Sequence, residues 1–317
     1  MSLEILITGG FGFVGSALAN QLCREHGVTV LARSDRGHER LLQPDRVSVK
    51  LRALKDLVPA DLAGIDAVIH CASTVDNYNI LAEPYLDVET NLSGTIALLE
   101  ACKERKPRFL YVSTYGVYGN LDVLPADEDS PCAPLGTYPA TKLCAEQFCL
   151  IYGRLHDFHV NICRLTNVYG PGDRFDNTKK GAFHYLVWRM MAGQQVNIYR
   201  GGNFVRDYVY IDDVVTALQA VLRNAPAGEL YLVGSGEPVR FGDLIDMVHE
   251  QTGRISHVGA MAPPQFHDVV GIVNFTADVG KLKSLGWSPS VTYPEGIRRT
   301  IASYAAQVRN EASGNVA

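Results

Sequence analysis

The sequence predicts an α/β fold: a doubly wound, mainly parallel sheet with helices on both faces, joined to a smaller C-terminal lobe. Three observations carry this. Short β-branched or aromatic runs alternate with amphipathic helical patterns through the first half, which implies right-handed crossovers between parallel strands. The first of these runs ends in a glycine turn that opens directly into a helical pattern. After Asn167 the alternation loses regularity, and Gly170-Pro171-Gly172, Gly201-Gly202 and Gly234-Ser235-Gly236 punctuate it.

In chain order, the strand-like runs are residues 3–8, 28–32, 67–70, 109–112 and 160–165, and the helical patterns cover 14–25, 88–105 and 140–152. Residues 211–223 read as a helix returning to the sheet, and 229–233 as one more strand. The expected division is a dinucleotide-binding unit at 1–165, with about 209–234 returning to it, and a lobe at 166–208 and 235–305. A polar tail, 306–317, is expected to fray.

Composition narrows the function classes. With 47% hydrophobic and 20% charged residues in 317, the chain is an ordinary globular protein with room for a large core. A net charge of -5 argues against nucleic-acid or polyanionic-membrane binding and leaves room for a local basic pocket. The seven cysteines are odd in number, form no CxxC pair and mostly sit in apolar stretches, as free thiols of a reducing compartment do. Cys144 and Cys149 follow a candidate catalytic lysine, but thiolate chemistry is not the expected role for either. The first residues lack the marks of a secretory signal, and no apolar stretch approaches the roughly 20 residues of a membrane helix. A cytoplasmic protein is expected, with no membrane contact and no metal.

The glycine turn is Thr8-Gly9-Gly10-Phe11-Gly12-Phe13-Val14-Gly15. Gly9 permits the tight turn, Gly12 lets the backbone approach a pyrophosphate, and Gly15 lets the helix pack closely on the strand. Free N–H groups at the helix N-terminus then face the anion. Three glycines in a strand–turn–helix context point to a Rossmann-type dinucleotide site lined by Gly9, Phe11, Gly12, Phe13, Val14 and Gly15. Where NAD users carry an acid at the end of the second strand, this chain reads Ala32-Arg33-Ser34-Asp35. Arg33 and Ser34 there point to the extra phosphate of NADP. NAD stays open, with Asp35 holding the ribose and Arg33 a solvated cation.

Tyr138-Pro139-Ala140-Thr141-Lys142 places a phenol and an ammonium four residues apart, adjacent on one helical face. An ammonium so placed favours phenolate, which lets the tyrosine exchange protons nearer neutrality. Upstream, residues 109–112 form a buried strand that ends in Ser113-Thr114, putting a hydroxyl at the ligand edge of the sheet. Thr114, Tyr138 and Lys142 would surround one substrate oxygen beside a nicotinamide that takes or returns hydride.

The glycine spacing resembles the TGxxGxxG turn of the extended short-chain dehydrogenase/reductases. Asp66-Ala67-Val68-Ile69-His70-Cys71-Ala72-Ser73 is similar to their fourth-strand motif. Arg164-Leu165-Thr166-Asn167-Val168-Tyr169-Gly170-Pro171, Arg206-Asp207-Tyr208-Val209-Tyr210-Ile211-Asp212-Asp213 and Leu285-Gly286-Trp287-Ser288-Pro289 resemble segments of the nucleotide-sugar epimerases and dehydratases. The resemblance implies that Cys71, Ala72, Ser73, Ser113, Tyr138, Lys142 and Leu165 line the cofactor. It also implies that Asn167 and Arg206 hold a substrate diphosphate, with Thr74, Thr114 and Tyr115 on the substrate. His70 is expected to be structural, and Val75 and His184 to shape the pocket. Relatives pair the helices around 88–105 and 140–152, so a homodimer is expected.

The departures from the family pattern set limits. Tyr115-Gly116 stand where dehydratases carry Asp-Glu, so 4,6-dehydration lacks its acid/base pair. Gly116 also stands where 3,5-epimerising members have cysteine. No arginine occurs between Arg254 and Arg298, where many relatives hold the diphosphate a second time, and His267 is a candidate substitute. The reading is a nucleotide-sugar 4-epimerase acting by transient hydride transfer. An NADPH-dependent 4-ketosugar reductase and a reductase of a non-nucleotide ketone stay open.

Overall fold

A computed structural model describes residues 2–74, 81, 83, 85–173 and 182–312, with side chains described to residue 306. Val75 lies outside the described residues. Seven strands form one wholly parallel sheet in the order β10-β6-β5-β4-β1-β2-β3. They are β1 (Glu4–Thr8), β2 (Gly27–Ala32), β3 (Val47–Leu51), β4 (Ala67–His70), β5 (Arg108–Thr114), β6 (Val160–Leu165) and β10 (Leu230–Val233). The doubly wound parallel sheet expected from the alternation is present.

Alternation along the strands sends side chains to opposite faces. Ile5 and Ile7 of β1 join a core with helices α1 (Phe13–Leu22) and α5 (Ile211–Asn224). Leu6 joins a second core with α2 (Gly94–Cys102) and α3 (Thr137–His156). Both faces are therefore apolar, as a parallel sheet between helical layers requires. Strand order reverses between β1 and β4, and their C-terminal ends open the crevice where such sheets hold ligands.

Two smaller sheets lie outside the large one. One joins β7 (Asn167–Tyr169), β9 (Val205–Tyr210) and β11 (Pro238–Arg240), and the other pairs β8 (Val196–Tyr199) with β12 (Val258–Met261). With α4 (Ala182–Met191), α6 (Phe241–Gln251) and α7 (Tyr293–Ala312) they surround a third core built on Tyr169, Phe183, Tyr208 and Tyr304.

Three local expectations need correction. β3 is absent from the sequence reading because its Val-Ser-Val-Lys-Leu run is mostly exposed. It is an edge strand whose Lys50 pairs with Asp61, and charge is how such edges resist further pairing. The pattern at 88–105 is broken: a π-helical turn, Val88–Ser93, precedes α2. The C-terminal helix α7 extends past residue 305, to Ala312. Among the described residues no helix is long and apolar enough to cross a membrane, and no three potential metal ligands cluster.

Candidate active site

The glycine turn caps the central strand. Gly9 sits at φ +65°, and a Cβ there would lie 2.7 Å from the Ala72 Cα, so the turn presses on the end of β4. A Cβ on Gly15 would stand 2.3 Å from the Gly9 carbonyl oxygen, and one on Gly12 would stand 3.0 Å from the same atom. The first turn of α1 carries no acidic side chain. A tight backbone cradle at an uncompensated helix N-terminus suits an anionic pyrophosphate. Cys71, Ala72 and Ser73 follow β4 directly opposite this turn, and Phe13 and Val14 are half-buried beside it. Arg33, Ser34 and Asp35 are exposed just beyond β2.

Helix α3 begins where Gly136 is extended and Pro139 occupies the first turn, a position that has no intrahelical N–H bond to lose. Tyr138 thus lies in the first turn and is half-buried at the rim, while Lys142, one turn deeper, is buried with Thr141, Ala145, Glu146 and Cys149. Thr114 ends β5, and its Oγ1 accepts from the Gly116 N–H at 3.1 Å. The Thr114 and Ser73 hydroxyls lie close enough to the Tyr138 phenol to pull its pKa down. The predicted hydroxyl–phenol pair is therefore brought together.

The electrostatics differ from the expectation. Burial pushes the Tyr138 phenol up to about 12, against the downward pull of Thr114 and Ser73. Burial also brings the Lys142 ammonium down to about 8, while Glu146 works in the opposite direction. Lys142 Nζ donates to the Val112 carbonyl at 2.6 Å and lies 4.1 Å from the Tyr111 ring centroid. Desolvation is the largest influence on the phenol, and the protonated phenol is its resting form.

Behind Tyr138 lies a polar network that the sequence reading missed. Asn91, at 1% exposure in the π-helical turn, accepts from the Thr74 N–H at 2.8 Å and from the Ser73 hydroxyl at 2.9 Å. Its amide donates to Thr74 Oγ1 at 2.8 Å and Thr141 Oγ1 at 3.0 Å. Buried Asp87 accepts from the Thr74 and Thr137 hydroxyls, each at 2.7 Å. A π-turn often marks a functional site, and here it aims Asn91 at the residues that hold the phenol. A buried acid and amide in an otherwise apolar helical pattern were the available signal.

Several other predicted residues have partners within the protein. Ser113 donates its hydroxyl to Glu146, so that side chain faces the helix and not the crevice. Leu165 is buried next to Thr114 in the sheet register. Tyr115 donates to Asn167 Oδ1 at 3.1 Å and its ring lies 4.6 Å from Phe275. Asn167 Nδ2 donates to the Asp207 carbonyl at 3.0 Å. The Arg206 guanidinium pairs with neither Asp207 nor Asp212; it donates to the Ile272 and Val273 carbonyls and lies 4.8 Å from the Phe204 ring. His70 is fully buried between Thr8 and Thr95 at 2.6 and 2.9 Å, a structural histidine held down at about 3 by burial. His184 is buried against Asp173 and Phe13, and the His267 ring lies tilted 5.2 Å from that of Tyr199. Burial raises the Cys149 thiol, which leaves it no nucleophile, as expected.

A family model described as the NAD dependent epimerase/dehydratase family matches residues 5–234. The chain belongs to that family. It is an enzyme of the extended short-chain dehydrogenase/reductase type. The trifunctional UDP-glucose 4,6-dehydratase/UDP-4-keto-6-deoxy-D-glucose 3,5-epimerase/UDP-4-keto-L-rhamnose-reductase of Arabidopsis thaliana is 33% identical over 95% of this chain, which spans only 47% of that relative. The UDP-glucose 4-epimerase of Mycolicibacterium smegmatis is 30% identical, over 94% of this chain and 97% of the relative. The UDP-glucuronic acid 4-epimerase of Bacillus cereus, solved with UDP-glucuronic acid and NAD, is 27% identical at a TM-score of 0.87, covering 96% of this chain and 100% of that one. That structure shares the fold described above.

Proposed function

We propose that this family member is an NAD(P)-dependent oxidoreductase of nucleotide sugars, and specifically a sugar 4-epimerase. The observation that carries the reading is the Tyr138 phenol set beside Thr114 at the C-terminal edge of β5, with buried Lys142 one turn below it. Similarity to a 4-epimerase bound to UDP-glucuronic acid and NAD supports the substrate class and the cofactor class. A bound dinucleotide supplies a reversible hydride acceptor.

The protein's own residues would do the rest. Thr114 Oγ1 holds the substrate hydroxyl in line, and Tyr138 takes its proton as the carbon is oxidised. The Lys142 ammonium stabilises the phenolate so formed, offsetting the burial that otherwise keeps the phenol protonated. Tyr138 then returns the proton after the keto sugar has turned over. The glycine cradle with Gly9, Phe11, Gly12, Phe13, Val14 and Gly15 would hold the pyrophosphate, and Cys71, Ala72, Ser73 and Leu165 would line the rest of the cofactor site. Asn167 and Arg206 would bind the substrate diphosphate, Arg206 by exchanging backbone carbonyls for phosphate oxygens. Thr74 and Tyr115 would border the sugar.

The proposed division of labour assigns residues 1–165 and about 209–234 to the dinucleotide, 166–208 and 235–305 to the substrate, and 306–317 to a tail. Free thiols at all seven cysteines support work in the reducing cytoplasm. Exposed Ile151 and Leu155 on α3 support a homodimer through this helix and α2. Arg33 at the end of β2 favours NADP, and the same residue supports the second reading, a 4-ketosugar reductase that consumes NADPH.

Thermal-shift measurements with nucleoside diphosphates and both dinucleotides test the binding half of the proposal, since a ligand of the native state raises the unfolding temperature. Stabilisation by a nucleoside diphosphate and by a dinucleotide is expected. Indifference to every nucleoside diphosphate would favour a non-nucleotide ketone as substrate.

A further inference from the structure

Glu146 is a fully buried carboxylate for which the proposed reaction has no use. It follows Lys142 by four residues on α3, as Lys142 follows Tyr138, so the three stand in line down one face of the helix. Its carboxylate forms a bidentate pair with Arg164 of β6, through Nη2 at 2.7 Å and Nε at 3.1 and 3.2 Å, and accepts the Ser113 hydroxyl of β5. Ser113 and Arg164 are register partners, as are their successors Thr114 and Leu165. One carboxylate therefore ties the helix bearing Tyr138 and Lys142 to the two strand ends beside Thr114.

The groups that face Lys142 come from three elements. Tyr111 stands on β5, His70 and Cys71 at the end of β4, and Cys149 and Glu146 on α3 itself. Burial keeps His70 uncharged, down at about 3, and raises Cys71 to about 12, with Cys149 and Tyr111 raised as well. Of these neighbours Glu146 acts most strongly in favour of the ammonium.

We propose that Glu146 is a positioning residue for the Tyr138–Lys142 pair: anchored by Arg164 and Ser113, it fixes α3 against the ends of β5 and β6 and acts as the counter-charge of the buried Lys142 ammonium. Its catalytic consequence rests on the proposed function, since an uncharged Lys142 would stabilise no phenolate. Its electrostatic content does not rest on that reading.

The test is a pH titration of the ligand-free full chain labelled with 13C at lysine Cε, with the Lys142 signal assigned by its loss in Lys142→Met. The wild-type midpoint is expected at about 8. Glu146→Gln keeps the shape and removes the charge, and its midpoint is expected to fall by about one pH unit. Breaking a buried pair leaves Arg164 uncompensated, so Glu146→Gln/Arg164→Met supplies a folded alternative in which the midpoint also falls. Ser113→Ala, which keeps the charge, is expected to hold the wild-type midpoint. A wild-type midpoint in either Glu146 variant overturns the proposal, and so does collapse of both, which would make Glu146 a folding anchor alone. If turnover is then measured, its alkaline limb should move with the midpoint. A shifted midpoint in a protein with no nucleotide-sugar turnover would uphold the counter-charge and reject the proposed function.

Discussion

Tyr138 and Lys142 owe their behaviour to depth. Four residues separate them, yet the first lies at the helix rim and the second in the core, and desolvation moves the phenol up and the ammonium down. Spacing alone made the pair legible in the sequence; the depth at which α3 sits was not, because it depends on Ser113, Glu146 and Arg164 meeting across three elements. Arg33 makes a prediction at this scale. Arg33→Asp should move the cofactor preference from NADP toward NAD, read as the ratio of dissociation constants, and an unchanged ratio would remove Arg33 from recognition. His70 makes another. Its folded-state value of about 3 lies below the ordinary histidine value of 6.5. The unfolded chain therefore binds the extra proton between those limits, and stability is lost as pH falls from 6.5 toward 3. The group steepens the pH dependence by up to about 1.4 kcal/mol per pH unit. His70→Gln should flatten denaturant midpoints across that window, and an equally steep variant would show that other groups govern acid unfolding.

Elements were legible where their pattern was strong and local. β4 and β6 fall at the expected residues, because short runs buried on both faces leave little doubt about period. β3 escaped because an exposed edge strand has no apolar run to show, and the π-turn at Val88–Ser93 because a helical period does not reveal one extra residue per turn. The polar partners of Arg206 were equally hidden, since Ile272 and Val273 offer backbone carbonyls that no side-chain reading detects. The glycine turn is the element whose roles were most fully readable. Gly15→Ala would force a Cβ to 2.3 Å from the Gly9 carbonyl. The variant is expected to lose about 1–3 kcal/mol of stability, as overpacked sites do, and most of its dinucleotide affinity. Calorimetry with and without dinucleotide measures both, and a variant as stable and as tightly binding as the parent would contradict close packing of α1 on β1.

At the scale of the molecule, the parallel sheet with its switch point between β1 and β4 brings the glycine turn, the residues after β4 and Thr114 to the C-terminal ends of neighbouring strands. A homodimer through α2 and α3 would rest on the helix that carries Tyr138, so association and catalysis should be linked. Sedimentation equilibrium is expected to give twice the chain mass, and Ile151→Glu/Leu155→Glu to give the single mass; a monomeric parent would dispose of the interface. The most direct test of the account is turnover of nucleotide hexoses with NAD or NADP added, followed together by product NMR and by absorbance at 340 nm. The expected result is a C4 epimer with no net change in reduced cofactor, and a loss of about 10²–10⁴-fold in kcat for a folded Tyr138→Phe variant. Stoichiometric consumption of NADPH, or turnover undiminished by Tyr138→Phe, would contradict it.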